Sequence, residues 1–249
     1  LALHDRVDGV VGGHQRRAGV PDRDVERPGV LEGPGEDHGP VAAGLERPAR
    51  RVRLLDAVDR PRHLALGTRE GLRRLREGIP DVAVVAGPET PEVETVDLGG
   101  WTREWGLVVP AGNPADVEGV ADLVDRDLRL VNRGRGAGLR SSFDEVIASL
   151  AADRDVDSHE LTDAIDGYDL TTAGHQSPAR KVLAGACDAG VGLRATAAAL
   201  DLGFVPLGTE SVDVLAAPDR ARKAGVRDLE RAIEGVGDVA DSLAGFRGR

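Results

Sequence analysis

The run Val131-Asn132-Arg133-Gly134-Arg135-Gly136-Ala137-Gly138-Leu139-Arg140 constrains the fold of this chain more than any other stretch. Ahead of it, Asp127-Leu128-Arg129-Leu130 alternates polar and apolar residues as a strand edge does. Behind it, Phe143, Val146, Ile147, Leu150 and Ala151 fall at i, i+3, i+4, i+7 and i+8, the apolar stripe of one helix face, and Ser141 or Ser142 can cap that helix. A strand handed to a helix through a glycine-and-arginine turn presents unpaired backbone N–H groups, a positive helix end and guanidinium groups. Together these suit an anion in a cleft. A purely architectural reading stands beside it: the glycines make a tight turn and the arginines pair with nearby carboxylates, since such turns recur across unrelated α/β folds. Neither the G-x-G-x-x-G spacing nor a G-K-[ST] ending is present, so a nucleotide has no support here.

The same grammar of short strands and helices extends from His63 onward. His63–Leu66 reads as a strand, Gly67-Thr68 as a turn and cap, and Glu70–Arg76 as a helix with Leu72 and Leu75 inward. Asp81–Ala86 suits a buried parallel strand, and Trp105–Val109 is another, closed by Pro110-Ala111-Gly112-Asn113-Pro114. His175–Ala186 reads as a helix with Ala179, Val182, Leu183 and Ala186 on one face. Cys187–Leu193, Gly203–Leu207 and Ser211–Leu215 read as three strands, and residues 219–234 as a last amphipathic helix through Val226, Leu229 and Ile233. Interleaved strands and helices imply an α/β architecture with largely parallel sheets.

Composition limits what such a fold can be built from and what it can meet. Aromatic residues are only 2% of the 249, so the core must come from Val, Leu and Ala. The net charge is −11 and Lys181 and Lys223 are the only lysines, an acidic, arginine-based balance that resembles proteins of high-salt, GC-rich, haloarchaeal-like origin. No basic stripe for nucleic acid is visible. Cys187 is the sole cysteine and the six histidines are scattered, which leaves no disulfide framework and no metal-ligand spacing. No stretch has the length of a membrane span or the core of a signal peptide, so a cytoplasmic protein without membrane contact is expected.

Residues 1–62 differ in kind. They hold 11 acidic and 11 basic residues, six of the 14 prolines, and no Ser, Thr, Asn, Ile, Lys or aromatic residue. Two readings stay open: a disordered or linker-like arm, or a wrong-frame translation of GC-rich coding sequence.

Taken in order, several segments resemble the periplasmic-binding-protein-like domain of cytoplasmic molybdate-related regulators, a domain also fused to some molybdopterin molybdotransferases. They are Gly67-Thr68-Arg69-Glu70-Gly71-Leu72 with Leu75 and Gly78; Arg103–Val109 with Gly112-Asn113-Pro114; and Asn132-Arg133 with Gly136-Ala137-Gly138 and Arg140. Gly167-Tyr168, His175, Gly185 with Asp188–Gly192, and Phe204–Leu207 with Glu210 follow.

The resemblance implies a type II binding-protein fold of two α/β lobes joined by crossing strands, with a ligand cleft between them. The domain would span 63–249, lobe 1 combining about 63–110 with 201–249 and lobe 2 covering about 113–200. Arg51–Asp56 would be the family's first strand, but only Ala57–Arg62 separates it from the next, too short for a helix, so the first lobe reads as incomplete. The ligand-binding residues carried over are Gly67 and Thr68 from the first lobe; Arg103 near the crossover; Asn132, Arg133, Gly136, Gly138 and Arg140 at the helix entrance; and Tyr168 and His175 at the border. Each has a plainer role: Arg103 can pair with an acid such as Glu104, Tyr168 can pack, and His175 can cap its helix.

The function implied is a non-enzymatic sensor domain of a transcriptional regulator, binding a small oxyanion such as molybdate or tungstate. No cofactor or metal is expected. DNA would be met only through a domain not recognisable in this chain, and a homodimer is left open. The alternatives are the C-terminal binding domain of a molybdopterin biosynthesis enzyme, or a truncated product without function.

Overall fold

The computed structural model describes residues 41–43, 54–64 and 66–249. In chain order the elements are β1 (Val41–Ala43), a 3-10 turn (Leu54–Ala57), β2 (Arg62–Leu64), α1 (Thr68–Arg76), β3 (Val82–Ala86) and β4 (Val96–Val109). Then come α2 (Val120–Asp125), β5 (Leu130–Arg133), α3 (Gly138–Arg154), α4 (Ser158–Ala164), β6 (Thr171–Thr172), α5 (Ser177–Leu183) and β7 (Ala189–Leu193). The chain closes with α6 (Arg194–Ala199), β8 (Gly203–Ala216), α7 (Ala224–Glu234), α8 (Val236–Asp241) and β9 (Phe246–Gly248).

Two long strands organise the molecule. β4 and β8 are each 14 residues long and pair antiparallel from Val96↔Ala216 to Val109↔Gly203. Along its first half β4 has β9 on its other edge, at Trp101–Arg103; along its second half that edge belongs to β7, at Trp105–Val108. β3 continues the first half beside β8, whereas β5 and β6 continue the second beside β7, giving the order β3-β8-β4-β7-β5-β6 with β9 added on β4. The change of neighbours coincides with a register shift between Trp105 and Gly106, opposite Gly208 and Pro206. Such a bulge increases local twist, and it sits where the sheet passes from one half to the other.

The core follows from residue size. With so few aromatic residues, those present are placed centrally: Trp101, Phe143 and Phe246 are fully buried, packed with Val, Leu and Ala from both halves of the sheet. In α3 the expected stripe is real, since Phe143, Ile147 and Ala151 are buried while Val146 and Leu150 pack at its margin. Full burial of a side chain such as Phe143 or Ile147 contributes roughly 1.5–3 kcal/mol. In α7, Val226, Leu229 and Ile233 do the same for the first half.

Several expectations need correction. The sheet is mixed rather than largely parallel: β5 pairs parallel with β6 and β7, but β3, β4, β7, β8 and β9 are joined antiparallel. Asp81–Ala86 therefore contributes a buried strand, but one that runs antiparallel to β8. Gly203–Leu207 and Ser211–Leu215 are one strand, because Pro206 and Gly208 mark the bulge rather than a turn. Leu183 and Ala186 are exposed, since α5 ends at Leu183 and the chain turns away at Gly185, whose φ is +69°. Leu54–Ala57 is a 3-10 turn, not the first strand; the strand beside β2 is β1, paired in parallel from Val41↔Arg62 to Ala43↔Leu64. Arg51–Arg53 and most of 1–62 lie outside the described residues.

Candidate functional site

Two helix N-termini meet where the halves of the sheet face each other. α1 has Gly67 as its N-cap and α3 has Ala137, and neither end has a side-chain cap. A Cβ on Gly67 would stand 2.2 Å from the Gly136 carbonyl oxygen, and one on Gly138 would stand 2.0 Å from the Ala86 oxygen. A methyl group cannot be fitted at either position without moving backbone, so these glycines let the halves touch. Gly136 itself has open space around its missing Cβ, and its contribution is the carbonyl that faces Gly67. Thr68 is buried, with its hydroxyl donating to Ala86 O at 2.8 Å and accepting from Ala86 N at 3.1 Å, so it ties α1 to the end of β3.

Side chains from both halves line this seam. Arg69 Nε donates to Glu89 Oε1 at 3.0 Å and Arg69 Nη2 to Ser141 Oγ at 3.1 Å, while the Ser141 hydroxyl donates to Glu89 Oε1. The neighbouring Ser142 hydroxyl donates to Glu210 Oε2 at 2.9 Å. Glu210 also receives Arg103 Nε at 2.7 Å and Nη2 at 2.5 Å, an ion pair joining β8 to β4 with both side chains almost wholly buried. Arg103 thus pairs with Glu210 across the strand register, not with Glu104, which is taken by Arg194. The serines expected to cap α3 are instead its fourth and fifth residues and reach across to the other half.

A second cluster lies behind the loop. Asn132 is fully buried: its N–H donates to Leu170 O at 2.8 Å, its Nδ2 to Tyr168 O at 3.2 Å, and its Oδ1 accepts from Arg133 N at 2.8 Å. Arg140, only 3% exposed, stacks over the Tyr168 ring at 4.1 Å and donates to Asp144 Oδ1 at 2.8 Å; the Tyr168 hydroxyl donates to the same oxygen at 2.8 Å. Burial, and then the bond to Asp144, push the Tyr168 hydroxyl above its ordinary pKa. Arg133 is also buried and donates to the Gly174 carbonyl, which brings it to the segment holding His175. His175 sits one residue before Gln176, the N-cap of α5, so the helix opens after it.

The sequence-derived residues therefore fall into three groups. Gly67, Thr68, Gly136 and Gly138 meet at the seam, with Arg103 linked to it through Glu210 and Ser142. Asn132, Arg140 and Tyr168 form the cluster behind it. Arg133 and His175 stand together at Gly174. The helix entrance carries the charge differently from the expectation: Arg140 and Arg133 are drawn inward by Asp144 and Gly174, while the guanidinium at the seam is that of Arg69. Neither Arg69 nor Glu89 carries a sequence signal for this contact: Glu89 lies in a loop after β3 with no periodic signature, and Arg69 reads as one of many helix arginines.

Two hollows flank the seam. One, of about 430 Å³, lies against the crossing strands and is bordered by Pro88, Trp105, Ser142, Glu145 and Glu210. The other, of about 380 Å³, runs along α1 between Arg69, Arg73 and Arg76 and the loop carrying Glu89 and Glu92. Among the described residues no group of three or more His, Cys, Asp or Glu side chains is placed to hold a metal ion, and no helix is long and apolar enough to cross a membrane.

Two α/β halves joined by crossing strands and meeting at helix N-termini define a ligand clamp of the type II binding-protein class. The model of the PBP superfamily domain matches residues 60–234, and the chain belongs to that superfamily. The uncharacterized protein YvgK of Bacillus subtilis is 33% identical over 113 residues, 45% of this chain, and the chain spans only 34% of that relative's length. A putative phosphate ABC transporter substrate-binding protein with bound phosphate from Clostridium perfringens superposes with a TM-score of 0.58 at 11% identity, over 84% of this chain and 98% of that one. The sulfate-bound regulatory domain of an OxyR2 point mutant from Vibrio vulnificus gives 0.54 at 14% identity, over 85% of this chain and 100% of the other. At such identities these two structures establish the fold alone.

Proposed function

We propose that this chain is a non-catalytic, cytoplasmic sensor domain that binds a small oxyanion, with molybdate or tungstate as the leading candidates, in the manner of a regulator's ligand-binding module. The observation that carries the reading is the meeting of the uncapped N-termini of α1 and α3. Two positive helix ends brought together are each stabilised by negative charge, and a helix N-terminus offers N–H groups to an anion. Arg69 and Ser141 add a guanidinium and a hydroxyl from opposite halves, so an anion held between them closes the clamp. The regulator role is supported by likeness in fold to the OxyR2 regulatory domain, and the choice of a metal oxyanion by the order of sequence segments described above.

Thermal melting of the chain with molybdate, tungstate, sulfate and phosphate, one at a time, tests this. A ligand present at 100 times its Kd raises stability by about 2.7 kcal/mol, a shift of several degrees. No shift with any of the four removes the oxyanion reading.

A further inference from the structure

The seam between α1 and α3 already holds an anion, and it is the protein's own. Glu89 stands three residues beyond the end of β3, on the first half of the molecule. Its Oε1 accepts from Arg69 Nε at 3.0 Å and from the Ser141 hydroxyl of the second half. Arg69 Nη2 reaches the same Ser141 oxygen at 3.1 Å, so carboxylate, guanidinium and hydroxyl close a ring across the two halves. The second carboxylate oxygen, Oε2, is buried with no hydrogen-bond partner among the described residues, 3.1 Å from where a Cβ on Gly87 would stand.

A carboxylate with one oxygen well held and the other without a protein donor is bound by only part of its hydrogen-bonding capacity. A mobile anion is not tethered to β3 and can settle against the helix N–H groups instead. The displaced side chain also has somewhere to go, since Glu89 borders the groove of about 380 Å³ along α1.

We propose that Glu89 is a built-in competitor at the anion site: ligand binds by displacing the Glu89 carboxylate from Arg69 and Ser141. The proposal rests on the oxyanion reading above and adds its selectivity. While the Glu89 carboxylate is seated it opposes any anion that cannot take over both partners, so it sets the threshold that a ligand must exceed. It also explains how the two halves can touch without ligand, the side chain bridging them in the ligand's place.

Calorimetric titration of the full 249-residue chain with molybdate, sulfate and phosphate separates the outcomes. Glu89→Gln keeps the shape and an acceptor for Ser141 while removing the charge, and it is expected to tighten binding of the same anion by about tenfold or more, the effect of losing one charge-assisted bond from the competing seat. Glu89→Ala, which empties the seat, is expected to act in the same direction and serves if the first variant melts early. Adding Ser141→Ala to Glu89→Gln is expected to erase most of the gain. Equal affinities for the original chain and both Glu89 variants overturn the competitor role while leaving the anion site in place. A gain that survives Ser141→Ala unchanged also overturns it, because the effect would then arise elsewhere. Binding by none of the proteins overturns the oxyanion reading and the competitor role together.

Discussion

Tyr168 is the chain's only tyrosine, so its ionisation can be followed without interference. Partial burial disfavours the phenolate and the bond to Asp144 holds the proton, so its pKa lies above the ordinary value of 10. A folded pKa above the unfolded one means that the stabilising contribution is complete below about pH 10 and is lost as pH rises through the folded value. Tyrosinate absorbance should therefore show a higher midpoint in the native protein than in urea, and Asp144→Asn should lower the native midpoint. Coincident native and unfolded curves would contradict the cluster. At this scale the sequence was an uneven guide. The glycines at 67 and 138 stand out in the sequence as turn and loop residues, whereas their close approach to the facing backbone shows only in the fold. The direction in which Arg140 points was not legible, because Asp144, one helical turn later, competes for it with any ligand and is an unremarkable acid in a chain with 43 of them.

Among the elements, the crossing strands bear the heaviest demand, since they must hold two halves together around a buried ion pair. Arg103 and Glu210 face each other in register there, and Ser142 of α3 completes the acceptor set of Glu210. Removing one partner strands the other charge in the interior, at a cost of about 3–5 kcal/mol, whereas replacing both with apolar residues of similar volume is often close to neutral. Urea unfolding of Arg103→Met, Glu210→Leu and the double variant should show two large single losses and a double loss smaller than their sum. Additive losses would mean that the pair is not coupled. The pairing of these strands was hidden from periodicity. Pro206 and Gly208 look like punctuation in a linear reading, yet Pro206 is accommodated beside a bulge, where ladder bonds are already interrupted. Helix α3 was plain because its apolar stripe depends only on local spacing, while the antiparallel course of β3 depends on a partner about 130 residues away.

On the scale of the whole molecule, ligand closure has to be felt on both sides of the seam at once. Hydrogen exchange with and without a bound anion should show added protection at Gly67–Arg69 and at Gly136–Ser141 together, although Arg69 and Ser141 are 72 residues apart. Protection confined to one segment would argue against a clamp. The two-half plan was legible from the order of segments, since each is a local motif. The first half of β4 takes its neighbours from Thr209–Ala216 of β8 and from Phe246–Gly248 of β9. A nascent chain that has just delivered β4 to the tunnel exit therefore exposes two tryptophans whose coverage has yet to be synthesised. The second half, whose strands span mainly 105–206, can assemble first. For the opposite half, the β4 edge at Trp101–Arg103 stays unpaired until Phe246–Gly248 has been made, so the time that edge stays open is set by translation speed.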